Sequence, residues 1–314
     1  MYRFRSMNTD IVTYYLNEKQ SLQTEKWFCY AESTLSRFKA DSELSQLNQT
    51  KNIPFLPSEL LFEAVACADH FYHETDGLFN PYLGRDLCRI GYDRSFEKIR
   101  TSEWEPAERS DPSPEATAPA SINPRMKMIT MHGAALDLGG IGKGWAAQQA
   151  VHQLQKQLIA FGGIAAGGDL IVWGMPEKKW TVSISAPESW NQRLFSFELN
   201  RPAGIATSST VRRSWKDRKG RTYHHILDPR THQSAQSDLL QVSVLAPDLT
   251  HAEVYAKCLI VLGWEEGVRW AAENHPELGM VGLKSDGTLA IAGAFHDYVS
   301  KGLSTNEHIA CISQ

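Results

Sequence analysis

No stretch of this chain approaches the roughly 18 consecutive apolar residues that a membrane helix needs, and the mean hydropathy is −0.35. A membrane-spanning protein is therefore not expected. The chain also lacks a basic excess: 32 Lys and Arg stand against 36 Asp and Glu, a formal net charge of −4. Nucleic-acid coats need surplus cations to displace counterions, so that class is not expected either. Cysteine is scarce, with five residues at irregular spacing (Cys29, Cys67, Cys88, Cys258 and Cys311) and no CxxC pair. This pattern argues against a disulfide framework or a zinc site and for reduced thiols. The opening MYRFRSMNTDIVTYYL has neither the apolar core nor the small-residue cleavage site of a secretion signal, so a cytoplasmic location is expected.

What is present is ordinary globular material. The 314 residues include 42% hydrophobic and 22% charged side chains, enough to bury a sizeable core. That length equals two common domains or one large α+β domain. Apolar spacing predicts a helix from Gln20 that breaks into a turn before Asn48, and another over Ser58–Asp76, capped by Ser58 and stopped at Gly77. Residues 101–121 hold four prolines, five acids and one basic residue, which predicts a mobile loop within a single domain spanning 1–314. Beyond it, Trp145–Ile159, Ala252–Leu262 and Glu265–Asn274 read as helices. Ile164–Trp173, Trp180–Ser185, Leu194–Leu199, Gly204–Ser208 and Leu239–Ala246 read as strands, and Met280–Lys284 with Thr288–Ala292 as a hairpin around Asp286-Gly287. Elements cluster rather than alternate strictly, which predicts an α+β fold with mixed or antiparallel sheets and packed helices.

Three segments carry chemical signals. Asp137-Leu138-Gly139-Gly140-Ile141-Gly142-Lys143-Gly144 is a glycine-rich turn into a helix, where backbone N–H groups suit an anion. It is neither a Walker A loop, because Asp137 and Gly144 occupy required positions, nor a dinucleotide fingerprint, because Gly140, Gly142 and Gly144 give GxGxG. Phosphate contact and a plain tight turn both remain open on spacing alone. Gly162-Gly163 and Gly167-Gly168-Asp169 bracket a strand start. In His225-Ile226-Leu227-Asp228-Pro229-Arg230-Thr231, an imidazole and a carboxylate three apart beside a proline turn could serve acid–base chemistry, but on spacing alone a turn capped by Asp228 with a satisfied His225 is the better reading.

Taken in order, these segments resemble the FAD:protein FMN transferases, the ApbE family, over nearly the whole chain. Arg5-Ser6-Met7-Asn8-Thr9 is similar to its opening Met-Gly-Thr, with Asn for Gly. Ser36-Arg37-Phe38 followed by Asp41 to Asn48 is similar to its early signature. Thr75-Asp76-Gly77-Leu78-Phe79-Asn80-Pro81 resembles its T-x-G-x-F-D-P segment, with Asn80 for Asp. Asp137 to Gly144 is similar to D-L-G-G-I-x-K-G, Gly167-Gly168-Asp169 to its GG-D, and Ala206-Thr207-Ser208 with His225 to Thr231 to A-T-S…H-I-x-D-P-R-T.

The resemblance implies an α+β fold that binds FAD, cleaves its pyrophosphate with Mg²⁺, releases AMP and passes FMN to a Ser or Thr hydroxyl of an acceptor protein. Some members hydrolyse FAD instead. It implies that Met7, Phe38, Arg89, Ile90 and Gly91 line the flavin or adenosine sites, and that Asp137, Lys143 and Ile226 contact FAD. His225 and Asp228 would lie near the reacting phosphate, with Thr207 and Ser208 offering hydroxyls. The Gly140 carbonyl would face the metal.

The chain departs from the family where the metal is completed. There an Asp and, four residues later, a Thr are expected; here Glu253 and Lys257 stand. Spacing of four puts both on one helix face. An ammonium has no acceptor and cannot ligate a cation. A divalent ion about 4 Å from it would be repelled by roughly 8 kcal/mol at an effective dielectric of about 20. Three outcomes are open: Lys257 swings away from a weak Mg²⁺ site, pairs with Glu253, or supplies its own charge beside the pyrophosphate. Two functions follow, an FMN transferase or an FAD-binding protein of the same fold with weak or no transferase activity. A scaffold without flavin is disfavoured by the joint presence of Asp137, Lys143 and His225.

Overall fold

The computed structural model describes residues 1–99, 119–304 and 311–313. Of the loop expected over 101–121, residues 101–118 lie outside the described residues, and Ser121 already begins a strand. The chain divides into two compact units. One comprises Met1–Glu25, Lys143–Arg212 and Gln236–Gln314, and the other Lys26–Gly142 and Arg213–Ala235.

The first unit is built on a nine-stranded sheet that follows chain order. Its strands are Tyr2–Ser6, Thr9–Tyr14, Gly162–Ala166, Asp169–Trp173, Ala203–Ser209, Leu239–Ala246, Gly279–Lys284, Leu289–Gly293 and Cys311–Ser313. Neighbours are antiparallel except the last pair, which is parallel. Three of the antiparallel pairs are hairpins joined by short turns: Tyr2–Ser6 with Thr9–Tyr14, Gly162–Ala166 with Asp169–Trp173, and Gly279–Lys284 with Leu289–Gly293. Met7 and Asn8 supply the first, both at positive φ (51° and 56°), the conformation that matches the twist of a two-residue hairpin. Gly287, at φ 87°, lies in the expected hairpin near the C-terminus. A three-stranded sheet, Thr181–Ala186, Ser189–Leu199 and Val299–Ser304, shares a core with the large one. Val172, Ile205, Leu245 and Val281 from the large sheet meet Val182, Phe195, Phe197 and Val299 from the small one. Inward alternation along each strand buries this layer, as sheet packing requires.

The stretch expected as one strand, Ile164–Trp173, is two. Gly167 and Gly168 sit at φ 67° and 103° and reverse the chain, so that Ala166 pairs with Asp169. Side chains rarely tolerate that backbone, and a Cβ on Gly167 would also stand 2.5 Å from Thr9 Oγ1. The turn places Asp169 at the head of the returning strand.

The second unit carries the helices Glu43–Asn48, Glu59–Glu74, Gly84–Arg89 and Phe96–Ile99, and a small sheet ordered Pro54–Phe55, Met128–Thr130, Ser121–Asn123. Ser58 caps its helix as expected, its Oγ accepting from Leu61 N at 3.3 Å. Gly77, at φ 78°, follows that helix and donates to Tyr72 O at 2.7 Å. Two short hairpins, Ser214–Lys216 with Thr222–His224 and Leu227–Asp228 with Gln233–Ser234, complete it. Leu83, Leu87, Ile90, Tyr92, Trp215 and Leu227 form a core cluster here. Fold class is thus α+β with predominantly antiparallel sheet. Among the described residues no helix is long and apolar enough to cross a membrane.

Candidate active site

The residues singled out by sequence fall into two groups, one in each unit. Met7, Lys143, Thr207, Ser208, Glu253 and Lys257 belong to the first; Phe38, Arg89, Ile90, Gly91, Asp137, Gly140, His225, Ile226 and Asp228 belong to the second.

In the first unit a buried ion cluster forms around Lys143. This residue lies in the first turn of the helix Gly142–Lys156. Its Nζ pairs with Asp169 Oδ2 at 2.9 Å and closely with Glu253 Oε1. Glu253 comes from the helix Leu249–Leu262, whose cap Asp248 accepts from His251 N. Its second oxygen accepts from Gly144 N at 2.7 Å, so the carboxylate also meets the positive end of the neighbouring helix. Glycine at 144 is a steric requirement, because a Cβ there would lie 2.8 Å from Leu249 O and 2.9 Å from Glu253 Oε2. Asp169 Oδ1 accepts from Thr207 N at 3.0 Å, and Thr207 Oγ1 shares a 2.7 Å hydrogen bond with Ser243 Oγ on the adjacent strand. The three charged side chains are only 13%, 6% and 7% exposed for Lys143, Asp169 and Glu253. Burial pushes the Glu253 carboxyl upward, and Lys143 opposes that shift. Ser208 is half-buried on the same strand as Thr207, and Lys257 is half-buried one turn beyond Glu253. Met7 stands at the tip of the first hairpin.

In the second unit a second cluster forms around Arg37. Its guanidinium pairs closely with Asp137, both side chains under a tenth exposed, and lies 4.2 Å from the Phe38 ring centroid and 5.0 Å from that of Tyr92. Asp137 Oδ1 accepts from Gly139 N at 2.9 Å, which ties the ion pair to the glycine turn. Tyr92 stacks on Trp215 (5.6 Å, 17°), and Trp215 on Tyr223 (6.4 Å, 18°). His225 stands 6.1 Å from Tyr92, centroid to centroid. Trp215 Nε1 donates to Ile90 O at 3.1 Å, and Asp86 clamps both Arg89 (2.8 Å) and His232 (3.1 Å). The Ile90 and Ile226 side chains are core-buried, at 5% and 1% exposure. Gly91, at φ 91°, ends this segment, and Gly140 is half-buried in the turn after Asp137.

Adjacent histidines have separate situations. His224 is buried; Nε2 donates to Ala235 O at 3.0 Å, and Nδ1 accepts from Ile226 N at 3.3 Å. This bonding assigns the neutral tautomer, and burial holds its pKa below the ordinary histidine value. A depressed value means that the unfolded chain binds the extra proton, so His224 contributes stability above about pH 6.5 that is lost as pH falls through that range. The midpoint of urea unfolding is therefore expected to drop between neutrality and mild acid. The His224→Gln variant, although weaker throughout, should show a flatter slope there; an unchanged slope would remove His224 as its source. Asp228 builds its turn, accepting from Arg230 N at 2.9 Å and from the Arg230 guanidinium at 2.9 Å. Burial acts to raise its pKa, but Arg230 outweighs it and keeps the carboxylate ionised.

Arg37, Asp169, Tyr92 and Trp215 received no role from sequence. Arg37 and Asp169 were nonetheless visible, one beside Phe38 and the other closing Gly167-Gly168-Asp169. Nothing local marks Tyr92 and Trp215, which meet only in the folded chain.

A family model described as the ApbE family matches residues 7–281. Two curated relatives are named FAD:protein FMN transferase. The one from Treponema pallidum is 32% identical over 250 residues, covering 75% of this chain and 69% of the relative. The one from Vibrio cholerae is 28% identical over 303 residues, covering 90% and 86%. Among solved structures, an ApbE protein from Thermotoga maritima aligns with a TM-score of 0.80 at 21% identity, over 96% of this chain and 99% of that one. A flavin transferase from Vibrio cholerae aligns with a TM-score of 0.74 at 21% identity, over 95% and 98%.

Proposed function

The chain belongs to the ApbE family, and from that premise we propose that it is an FAD:protein FMN transferase. In the reaction an acceptor Ser or Thr oxygen forms a new bond to the FMN phosphorus of FAD. The bond from that phosphorus to the bridging oxygen breaks, and AMP leaves with the electron pair. The hydroxyl proton passes to His225, and cationic side chains offset the charge that develops on the phosphate oxygens. The observation that carries this reading is the cluster of the second unit. The buried Arg37–Asp137 pair ties the glycine turn to the Phe38 and Tyr92 rings, and the His225 imidazole stands beside Tyr92, within reach of the role that the family's H-I-x-D-P-R-T segment implies. Lys143, Phe38 and the Arg89–Gly91 segment are assigned to FAD on the family resemblance. The free thiols at Cys29, Cys67, Cys88 and Cys258 are compatible with a reducing, cytoplasmic setting.

Mg²⁺, which the resemblance implies, does not fit the residues present. Both Glu253 oxygens and both Asp169 oxygens already accept from protein donors. Position 257 carries an ammonium, and among the described residues no three His, Cys, Asp or Glu side chains gather as a metal-holding group. That misfit favours, as a second reading, an FAD-binding protein with weak or no transfer.

The two readings separate in one assay: AMP release from FAD by the purified chain, with a Thr-containing acceptor peptide followed by mass spectrometry. AMP with FMN on the peptide is the expected result. FAD binding without AMP in every buffer would leave only the second reading.

A further inference from the structure

The small sheet of the second unit carries polar side chains that the FAD chemistry does not use. Its strands lie in the order Pro54–Phe55, Met128–Thr130, Ser121–Asn123. Pro54 and Ser121 both pair with Thr130, one from each side. Ladder partners share a face and successive residues alternate, so Pro54, Thr130 and Ser121 occupy one side of this sheet. Ile129, on the other side, is fully buried. His132 follows Thr130 by two residues and Asn52 precedes Pro54 by two, and their side chains meet Ser121 on the solvent side.

These three side chains form a chain of hydrogen bonds. Ser121 Oγ lies 2.7 Å from His132 Nε2, and His132 Nδ1 lies 2.9 Å from Asn52 Oδ1. A carbonyl oxygen only accepts, so Nδ1 holds the ring proton and Nε2 accepts from the Ser121 hydroxyl. A hydroxyl on a base, with the base oriented by a third group, is the geometry of an activated nucleophile. Asn52 is itself fixed: it sits at φ 55°, and its N–H donates to Met131 O at 2.8 Å. Ser121 is exposed and His132 half-buried, so a substrate can reach the hydroxyl while the imidazole keeps its orientation. Ser121 also lines a groove of about 580 Å³ with Pro54, Met126, Met128 and Thr130. That size suits a small organic molecule. Its walls are mostly apolar, and two methionines adapt to varied shapes. Thr130, directly opposite Ser121 with Cβ atoms roughly 4.5–5.5 Å apart, brings a hydroxyl donor to the same groove.

We propose that Ser121, His132 and Asn52 form a second site, sharing no residue with the FAD chemistry, that hydrolyses esters of apolar carboxylic acids. Ser121 Oγ bonds to the ester carbonyl carbon as its proton passes to His132 Nε2. The carbonyl electron pair moves onto oxygen, to which the Thr130 hydroxyl donates. The pair then returns, the bond to the alcohol oxygen breaks, and His132 gives that oxygen the proton. Water repeats the sequence on the acyl-serine, releasing the carboxylic acid and restoring Ser121. Asn52 touches only the imidazole and is a positioning residue.

The test begins with the unaltered protein. A fluorophosphonate probe, which phosphonylates activated serines, is added and the labelled peptide located by mass spectrometry. Hydrolysis of p-nitrophenyl butyrate is followed in parallel. The expected results are an adduct on Ser121 and a hydrolysis rate that falls about a hundredfold or more in Ser121→Ala and in His132→Ala. Asn52→Gly keeps the positive φ but removes the amide and should slow labelling roughly tenfold or more, whereas Asn52→Asp should retain most of it. A purely structural role would lower the unfolding midpoint of Asn52→Gly and leave labelling unchanged, which would overturn the assignment of Asn52. No adduct on Ser121 of the folded protein, or hydrolysis undiminished in Ser121→Ala, would overturn the proposal as a whole. AMP release from FAD should be the same in Ser121→Ala as in the unaltered protein; a parallel loss would overturn the separation of the two sites. Failure of the ester chemistry leaves the transferase reading untouched.

Discussion

Lys143→Met is expected to cost about 3–5 kcal/mol of stability, because it strips the cation from two buried carboxylates and leaves them facing one another. The side chains involved are at most 13% exposed, so solvent does little to screen the loss. The favourable worth of the intact cluster is much smaller than this figure, since desolvating three charges offsets most of their attraction. The asymmetry is itself testable. Lys143→Met combined with Glu253→Gln removes one charge of each sign and should recover a large part of the deficit, the double variant lying well short of the sum of the single ones. Urea denaturation followed by tryptophan fluorescence measures both. A loss below about 1 kcal/mol in Lys143→Met would mean that the cluster is not closed as described.

The same variant should acquire a distinctive pH dependence. In the unaltered protein, burial raises the Glu253 carboxyl and Lys143 opposes it. Without Lys143, burial and the neighbouring Asp169 both favour the protonated acid. A carboxyl whose folded pKa lies above its unfolded value of about 4.3 makes the folded state the better proton binder, so stability falls as pH rises through that window. The deficit relative to the unaltered protein should therefore be smallest in acid and grow toward alkaline pH. A deficit independent of pH would place the cost in lost packing of the lysine stem rather than in the carboxylates.

How far such a site is legible in sequence depends on where its signals lie. The Ser58 cap, the Gly77 stop and the strand over Leu239–Ala246 come from local preferences that the fold does not override. The hairpin at Met7-Asn8 escaped because no glycine marks the turn: asparagine tolerates positive φ, but methionine seldom adopts it. Ile164–Trp173 looked continuous because its interior turn is made by two glycines inside an otherwise apolar run. Similarly, the Glu253/Lys257 spacing correctly put two charges on one helix face. The partners that hold Glu253 lie 110 and 109 residues away, beyond any local pattern. Nor does a local pattern show the aromatic stack, where Tyr92 and Trp215 come from segments that are close only after folding.

His225→Ala is expected to lower AMP release by roughly 10²–10⁴-fold, the usual contribution of one positioned acid–base group, with FAD affinity and unfolding midpoint little changed. The contrast with its neighbour makes the prediction specific. His224 spends both ring nitrogens on backbone groups, so His224→Ala should damage folding first and activity only as a consequence. Asp228 is the control for electrostatics. It stays ionised against Arg230 and shapes the turn that follows His225, so Asp228→Asn should loosen that turn and reduce turnover less than loss of the imidazole does. Added imidazole should restore part of the activity of His225→Ala and none of that of His224→Ala, because a small base can replace a proton acceptor but not a buried pair of hydrogen bonds. If His225→Ala releases AMP within a factor of about three of the unaltered protein, the proton goes to water. The residue would then belong with Tyr92 and Trp215, as part of the buried aromatic cluster rather than of the chemistry.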